Sequence, residues 1–589
     1  MLIAFAWLTF SQVAAIAPLA PEPMLLASVP ASEGEAAPAF PGEVIRHQEV
    51  RPLPGQLDEV PVFNSNSPEL VQQEGVLLST FPPDDMLNGE IHLNFPFEGR
   101  FDFFAHHIAR GLSYDDRRTL FVGAVVYNPS SEPVTLEILQ GVSYLSQEAP
   151  FNNLPSLVAN PSGSVFAGPG SRTVTDILQG RNQSQWPEQV TIPPRQAYLL
   201  MNAPIPLRRL PFSVDATLPP GSVLPSIPVN DSTDTALASA APPGNLPTVR
   251  NRQLPSNGRS ALLYLSSSGP VYVASLSMYA PQTTNGQERA PTLQEWLSLL
   301  VNGDLAGPRD IAPTDPEEFR KSNQNERFFY GRVAGVAQGS QWTSRVADEP
   351  DGFELTIPEP GDSLSYVIST VDQNTFGTEQ IQSAPMLVRY PDTAYRAHGN
   401  YGVHYQVLLP LHNNTDDFQR VAIKLQTPLQ DETLESGLRF RRRPSDRIFF
   451  RGTVRLRYSN GLGVTQSRYV HLVQRQGQEG ETLLQLTLPP GDLRTVDVDF
   501  IYPPDATPPQ VLTVTTLNNP DFLEVNRTAP DAEAAEPTET IPVAAETLEV
   551  EVSEEVPEEA PEAALEEAPT TEVSDPSTTG ANMAETVAE

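Results

Sequence analysis

The chain has 589 residues, no cysteine, 61 prolines and a formal net charge of −36. The lack of cysteine excludes disulfides, thiolate nucleophiles, cysteine-ligated zinc and iron–sulfur clusters, and a body this acidic repels nucleic-acid phosphates. Proline is about twice as frequent as usual and removes backbone donors from helices and central strands, so an all-β chain of short strands and long loops is predicted.

The chain opens on an apolar stretch ending in the small residues Val13 and Ala15. This predicts a signal peptide over 1–15, and hence export, although no basic residue precedes the apolar run. The run is shorter than the ~20 residues a membrane span needs, and no later segment is long and apolar enough to cross a bilayer. Residues 16–42 are rich in Ala, Pro and Glu and read as a flexible leader.

Strand patterns begin at Glu43, with segments 43–50, 76–81 and 90–95 bounded by Pro, Gly or Asn. Segment 119–127, the turn Asn128-Pro-Ser-Ser-Glu-Pro133 and segment 134–140 read as a hairpin of a β-sandwich. Segment 190–201 adds two short strands around Pro193-Pro194, completing a sandwich-like domain over 43–212. Residues 213–257 lack periodicity and read as a linker-like insertion. A hairpin (260–265 and 271–279) around Ser268-Gly-Pro and a short helix at 292–301 complete the first domain over 258–305. Thr292 and Glu295 have capping-box spacing, Gly303 ends the helix, and Leu293, Trp296, Leu297 and Leu300 share its core face.

The plan then recurs. Segment 405–412, the turn Asn413-Asn-Thr-Asp-Asp417 and the strand 420–425 echo 119–140, and Leu488-Pro-Pro-Gly491 echoes the earlier Pro-Pro corner. This predicts a second sandwich-like domain over 306–527. Residues 528–589 hold eighteen acids but no Lys, Arg or aromatic residue, and read as a disordered acidic tail.

Few residue groups suggest chemistry. His398, His404 and His412 invite a metal reading, yet His404 and His412 stand roughly 26 Å apart along an extended strand, so the expectation is packing rather than ligation. His106 and His107 point to opposite faces of a strand. Asp348, Glu349 and Asp351 beside Trp342 are the only hint of a glycan hydrolase; a solvated loop is the simpler reading. Neither a Gly-x-Ser-x-Gly elbow nor a Walker loop is present. No catalytic, metal or cofactor-binding residue is assigned.

One charge pattern breaks the acidic trend. Between Arg439 and Arg457 the chain holds eight arginines and a single acid, Asp446. Arg447, Arg451, Arg455 and Arg457 are the candidate anion-binding residues, with Arg455 and Arg457 on one strand face and Val454, Leu456 and Tyr458 on the other. The expected partner is an anionic envelope polysaccharide or the chain's own acidic tail.

Five segments carry a resemblance: Asn257-Gly-Arg-Ser, Gly269-Pro-Val-Tyr-Val-Ala-Ser-Leu276, Glu288-Arg-Ala-Pro-Thr-Leu-Gln-Glu-Trp296, His398-Gly-Asn-Tyr-Gly-Val403 and Phe450-Arg-Gly-Thr-Val-Arg455. Together they resemble a family of exported cyanobacterial proteins, domain of unknown function family 3370, over roughly 43–517. The resemblance implies cyanobacterial origin and export, and brings no activity, cofactor or site residue. The expected role is non-enzymatic binding or structure in the periplasm or cell envelope, with an envelope glycan hydrolase as the alternative.

Overall fold

Ser256–Tyr279 is a single strand of 24 residues whose two halves belong to different sheets. A computed structural model of the chain describes residues 42–148, 153–208, 217–224, 254–322, 327–432, 436–460 and 463–518. The segments expected as a signal peptide (1–15), as a flexible leader up to residue 41 and as an acidic tail (528–589), and residues 213–216 and 225–253 of the expected insertion, lie outside the described residues. The first half of the long strand pairs with Phe97–Arg110 and Val134–Leu145. Its second half pairs with Thr119–Tyr127 and Gly75–Ser79. The register shifts between Ser267 and Val271, around Gly269-Pro270. The hairpin expected there is therefore a bend: a proline without an N–H, next to a flexible glycine, lets one strand leave a sheet and enter the facing one.

The hairpin expected over 119–140 is also corrected. Thr119–Tyr127 pairs with Ala197–Pro206, whereas Val134–Leu145 pairs with Gln189–Ile192, so the turns at 128–133 and 193–196 are arches between facing sheets. Between those sheets Phe101, Phe103, Leu263 and Leu265 pack with Leu120, Val122 and Ala124. The outer face, Phe121, Val125 and Leu276, is covered by the helix Leu293–Asn302. That helix forms as expected, with the Thr292–Glu295 capping box in place and Gly303 at its end. Trp296 is fully buried because Gly123 faces it; a Cβ there would lie 2.6 Å from the indole.

In the second sandwich His404–His412 lies between Leu493–Ile501 and Gln341–Arg345, and Ile448–Ser459 and Thr465–Arg475 extend the same sheet. The facing sheet is built from Glu49–Arg51, Ser363–Ile368, Gln510–Thr516, Gln419–Gln426 and Thr482–Leu488. Tyr405, Val407, Leu409, Phe450 and Phe500 fill the space between. The apolar residues alternate along His404–His412 as the period of two requires.

The recurrence seen in the sequence is a recurrence of bonds. Asn128 donates its side-chain amide to the carbonyls of Glu132, Ile192 and Pro193. Asn413 donates to Asp417, Leu488 and Pro489. Each Oδ1 accepts from the backbone and hydroxyl two residues on, Ser130 or Thr415. In both sandwiches one asparagine thus ties an arch to the neighbouring Pro-Pro corner.

Strands also cross between the two halves of the sequence. Glu43–Arg46 pairs with Leu438–Arg441, Gln56–Leu57 with Gln341–Arg345, and Leu157–Ala159 with Thr465–Arg475. In return Ala334–Gln338 and Ala384–Arg389 extend the first sandwich. A helix without a strong sequence signal, Ser171–Leu178, is wedged between the sandwiches: Val174, Ile177 and Leu178 pack with Val142, Leu262 and Ile501. A third, Pro316–Lys321, is capped by Asp315. The strand expected at 90–95 is instead a 3-10 turn at Gly89–Ile91 and an irregular segment.

Candidate anion-binding site

The strand Ile448–Ser459 presents Arg451, Thr453, Arg455 and Arg457 on its outer face and packs Val454 and Leu456 into the core. Its neighbour Leu493–Ile501 sets acids opposite them, because Arg455 is registered with Asp499 and Arg457 with Asp497. Arg455 Nε donates to Asp499 at 3.0 Å and its Nη1 to the Leu178 carbonyl at the end of the wedged helix. Arg457 lies 3.5 Å from Asp499 and 3.8 Å from Asp497. Burial pushes the Asp499 carboxyl up, but His404 and Arg455 beside it more than offset this and hold it below its usual range. Arg451 is ion-paired with Asp505, whose carboxyl is raised by burial against the pull of that guanidinium. Three of the four candidate arginines are therefore paired with acids of the protein itself, and Arg455 also ties the wedged helix to the sheet.

The fourth, Arg447, belongs to a different environment. With Arg441, Arg442 and Arg443 it lies exposed at and beyond the end of the strand Leu438–Arg441, and none of these four guanidiniums has a carboxylate partner among the described residues. The loop is held in place by its backbone: Arg442 N donates to Gly42, Ser445 N to Gln476, and Gln476 N to Arg447. Acids nearby are already engaged, Asp431 and Glu43 by Arg439 and Glu479 by Arg46. The result is a backbone-anchored loop of exposed arginines without carboxylate partners among the described residues, on an acidic protein.

The loop borders a cleft of about 460 Å³. Pro444, Ile448, Val473 and Leu154 give it apolar walls, and Asp446, Arg475 and Gln478 give it polar ones. Arg475 meets Asp446 at 3.2 Å, and the Asp446 side chain is fully exposed. Sequence reading missed Arg475 because it lies on the next strand, Thr465–Arg475, and only the antiparallel register brings it alongside Ile448.

Residues 48–516 match the model of a family described as a protein of unknown function, DUF3370. The chain belongs to the DUF3370 family. No curated protein matches it. Among solved structures, the crystal structure of the coconut allergen cocosin aligns at 9% identity over 76% of the DUF3370 chain and 86% of its own, with a TM-score of 0.08, too low to bear on fold or function.

The other sequence candidates are dispersed. His398 bonds the Gly331 carbonyl, His404 lies 3.7 Å from Asp499, and His412 bonds Glu354 at 2.8 Å. His106 bonds Ser260, and His107 bonds Ser65 and Pro68 on the opposite side. Trp342 is buried and gives its indole N–H to Pro54, so it offers no platform to a sugar beside Asp348, Glu349 and Asp351. Trp186 and Trp296 are buried as well.

Proposed function

We propose that this DUF3370 protein is an exported, non-catalytic protein of the cell envelope that binds an acidic polysaccharide on the loop carrying Arg441, Arg442, Arg443 and Arg447. The observation that carries the reading is four exposed, backbone-anchored guanidiniums without carboxylate partners among the described residues, in a chain of net charge −36. Exposed charge pairs contribute only about 0–1 kcal/mol each, so useful affinity needs a ligand that meets several at once, and a polymer does so. The planar guanidinium suits carboxylate and sulfate oxygens better than a lysine ammonium does. The apolar stretch at the start of the chain supports export.

Binding of the full chain to polygalacturonate at low salt tests this. The quadruple variant R441Q/R442Q/R443Q/R447Q should weaken it sharply, binding by the intact protein should fall steeply as salt passes about 0.1 M, and R457Q should change it little. Equal polymer binding by the quadruple variant and the intact chain would refute the assignment.

A further inference from the structure

The cleft beside the arginine loop has a composition that a purely electrostatic binding surface does not need. Its volume of about 460 Å³ falls within the roughly 300–1,000 Å³ of small-molecule sites. Ile448 and Val473 supply apolar wall, and the Gln478 side chain keeps its amide N–H groups available because its carbonyl oxygen accepts from Arg475 N at 2.8 Å. Arg475 is the one cleft cation held only by a weak partner. Its sole side-chain partner among the described residues is Asp446, through a single 3.2 Å contact between side chains 43% and 103% exposed. A pair so exposed contributes little, and a ligand carboxylate can take the place of Asp446 at small cost.

Resting on the polysaccharide reading above, we infer that this cleft is the specificity subsite, taking one uronic-acid unit with its carboxylate forked on Arg475. The sugar's C–H face lies on Ile448 and Val473, its hydroxyls meet Gln478, and the neighbouring units run over the arginine loop. Asp446 is then a placeholder that keeps Arg475 oriented while the cleft is empty. The guanidinium fork takes a carboxylate with two parallel bonds and would take a phosphate as well, but the apolar wall of Ile448 and Val473 and the Gln478 amide match a sugar's C–H face and hydroxyls, which a phosphate polymer lacks. The ligand is therefore a carboxylated glycan rather than a generic polyanion.

The full-length protein titrated with digalacturonate, with the neutral disaccharide maltose, and with polygalacturonate and polyphosphate separates the two readings. Digalacturonate should bind and maltose should not. R475Q should weaken digalacturonate at least about tenfold, and R475K should recover little of it because an ammonium lacks the fork. D446N should strengthen it by up to about fivefold by releasing Arg475. The loop quadruple variant should keep most of its digalacturonate affinity, and its polygalacturonate affinity should fall to about that level. Polymer binding without digalacturonate binding, or with R475Q indistinguishable from the intact chain, overturns the subsite and leaves the arginine loop standing. Polyphosphate bound as tightly as polygalacturonate also overturns it. Failure of the intact chain to bind any polymer removes both.

Discussion

Arg195 occupies a backbone conformation that side chains other than glycine rarely adopt, with φ of 57° in the corner after Pro193-Pro194. Its counterpart in the second sandwich is Gly491, at φ 70° in the corner after Pro489-Pro490. The same turn is thus built once with the residue it favours and once without. Left-handed backbone costs an L residue roughly 1–2 kcal/mol, of which glycine's extra entropy loss on folding takes back roughly 0.5–1 kcal/mol, so R195G should stabilise the protein by about 0.5–1 kcal/mol net. G491A should destabilise it by a similar amount, since nothing lies within 4 Å of the added Cβ and the backbone angle alone decides. Denaturant midpoints of the two variants check the pair. A lower midpoint for R195G, or a higher one for G491A, would overturn the reading. At this scale the sequence was legible where residues carry their own geometry, as at Thr292, Glu295 and Gly303. It was not legible for Arg447, Arg451, Arg455 and Arg457. The partners of the last three, Asp497, Asp499 and Asp505, lie forty or more residues on, and strand register decides which arginine meets an acid.

The arches at Asn128 and Asn413 show what elements do that single residues do not. Each asparagine supplies donors to three carbonyls, one in its own turn and two in the adjacent Pro-Pro corner. Replacing Asn413 by Ala leaves buried acceptors without donors, which should cost about 2–4 kcal/mol. Asp at the same position should cost more than Ala, because a carboxylate has no N–H and would face three carbonyl oxygens. Thermal unfolding of N413A and N413D, with the same pair at Asn128, tests the order; N413D as stable as wild type would remove the tie. The repeat of these elements was visible in the sequence as Asn-containing turns and Pro-Pro corners. Their connection was misread, because an arch and a hairpin have the same strand–turn–strand pattern and differ only in which sheet receives the second strand. The bent strand Ser256–Tyr279 was divided for the same reason: Gly269-Pro270 is as good a signal for a bend as for a turn. The helix Ser171–Leu178 offers only three large apolar residues among threonines and serine, so its burial comes from the two sheets that close on it.

Across the whole molecule, histidines set the response to acid. His92, His106, His107, His398 and His471 are all held to a pKa of about 4, in each case chiefly by burial, which disfavours the charged ring. The unfolded chain binds these protons near the ordinary value of about 6.5. Below that pH the unfolded state takes up protons that the folded state refuses, so stability present above 6.5 is lost as pH falls towards 4. The contribution is on the order of 1–3 kcal/mol each at pH 4. Asp310, Asp497 and Asp505, whose carboxyls burial raises, act in the opposite sense near the bottom of this window, and they are fewer. Melting temperature should therefore drop steeply between pH 6.5 and 4, and a flat profile there would contradict the burial of these rings. The strand-rich class was legible from proline density and period-two runs, and the sharing of strands between the two halves was not, since periodicity carries no information about partners.

That sharing has a consequence for how the protein comes into being. Glu43 and Arg439, which meet across the pairing of Glu43–Arg46 with Leu438–Arg441, are 396 residues apart along the chain. Gln56–Leu57 waits for Gln341–Arg345, and Glu49–Arg51 for Ser363–Ile368. As the nascent chain leaves the ribosome, its earliest strands have no partners until most of the polypeptide exists, and contacts this distant in sequence form slowly. The strands between Gly75 and Tyr279 can pair among themselves as they emerge, but the segment 43–57 cannot. Completion of both sandwiches therefore waits for the C-terminal half of the chain, and the strands between Glu43 and Leu57 are among the last to dock although they are made early.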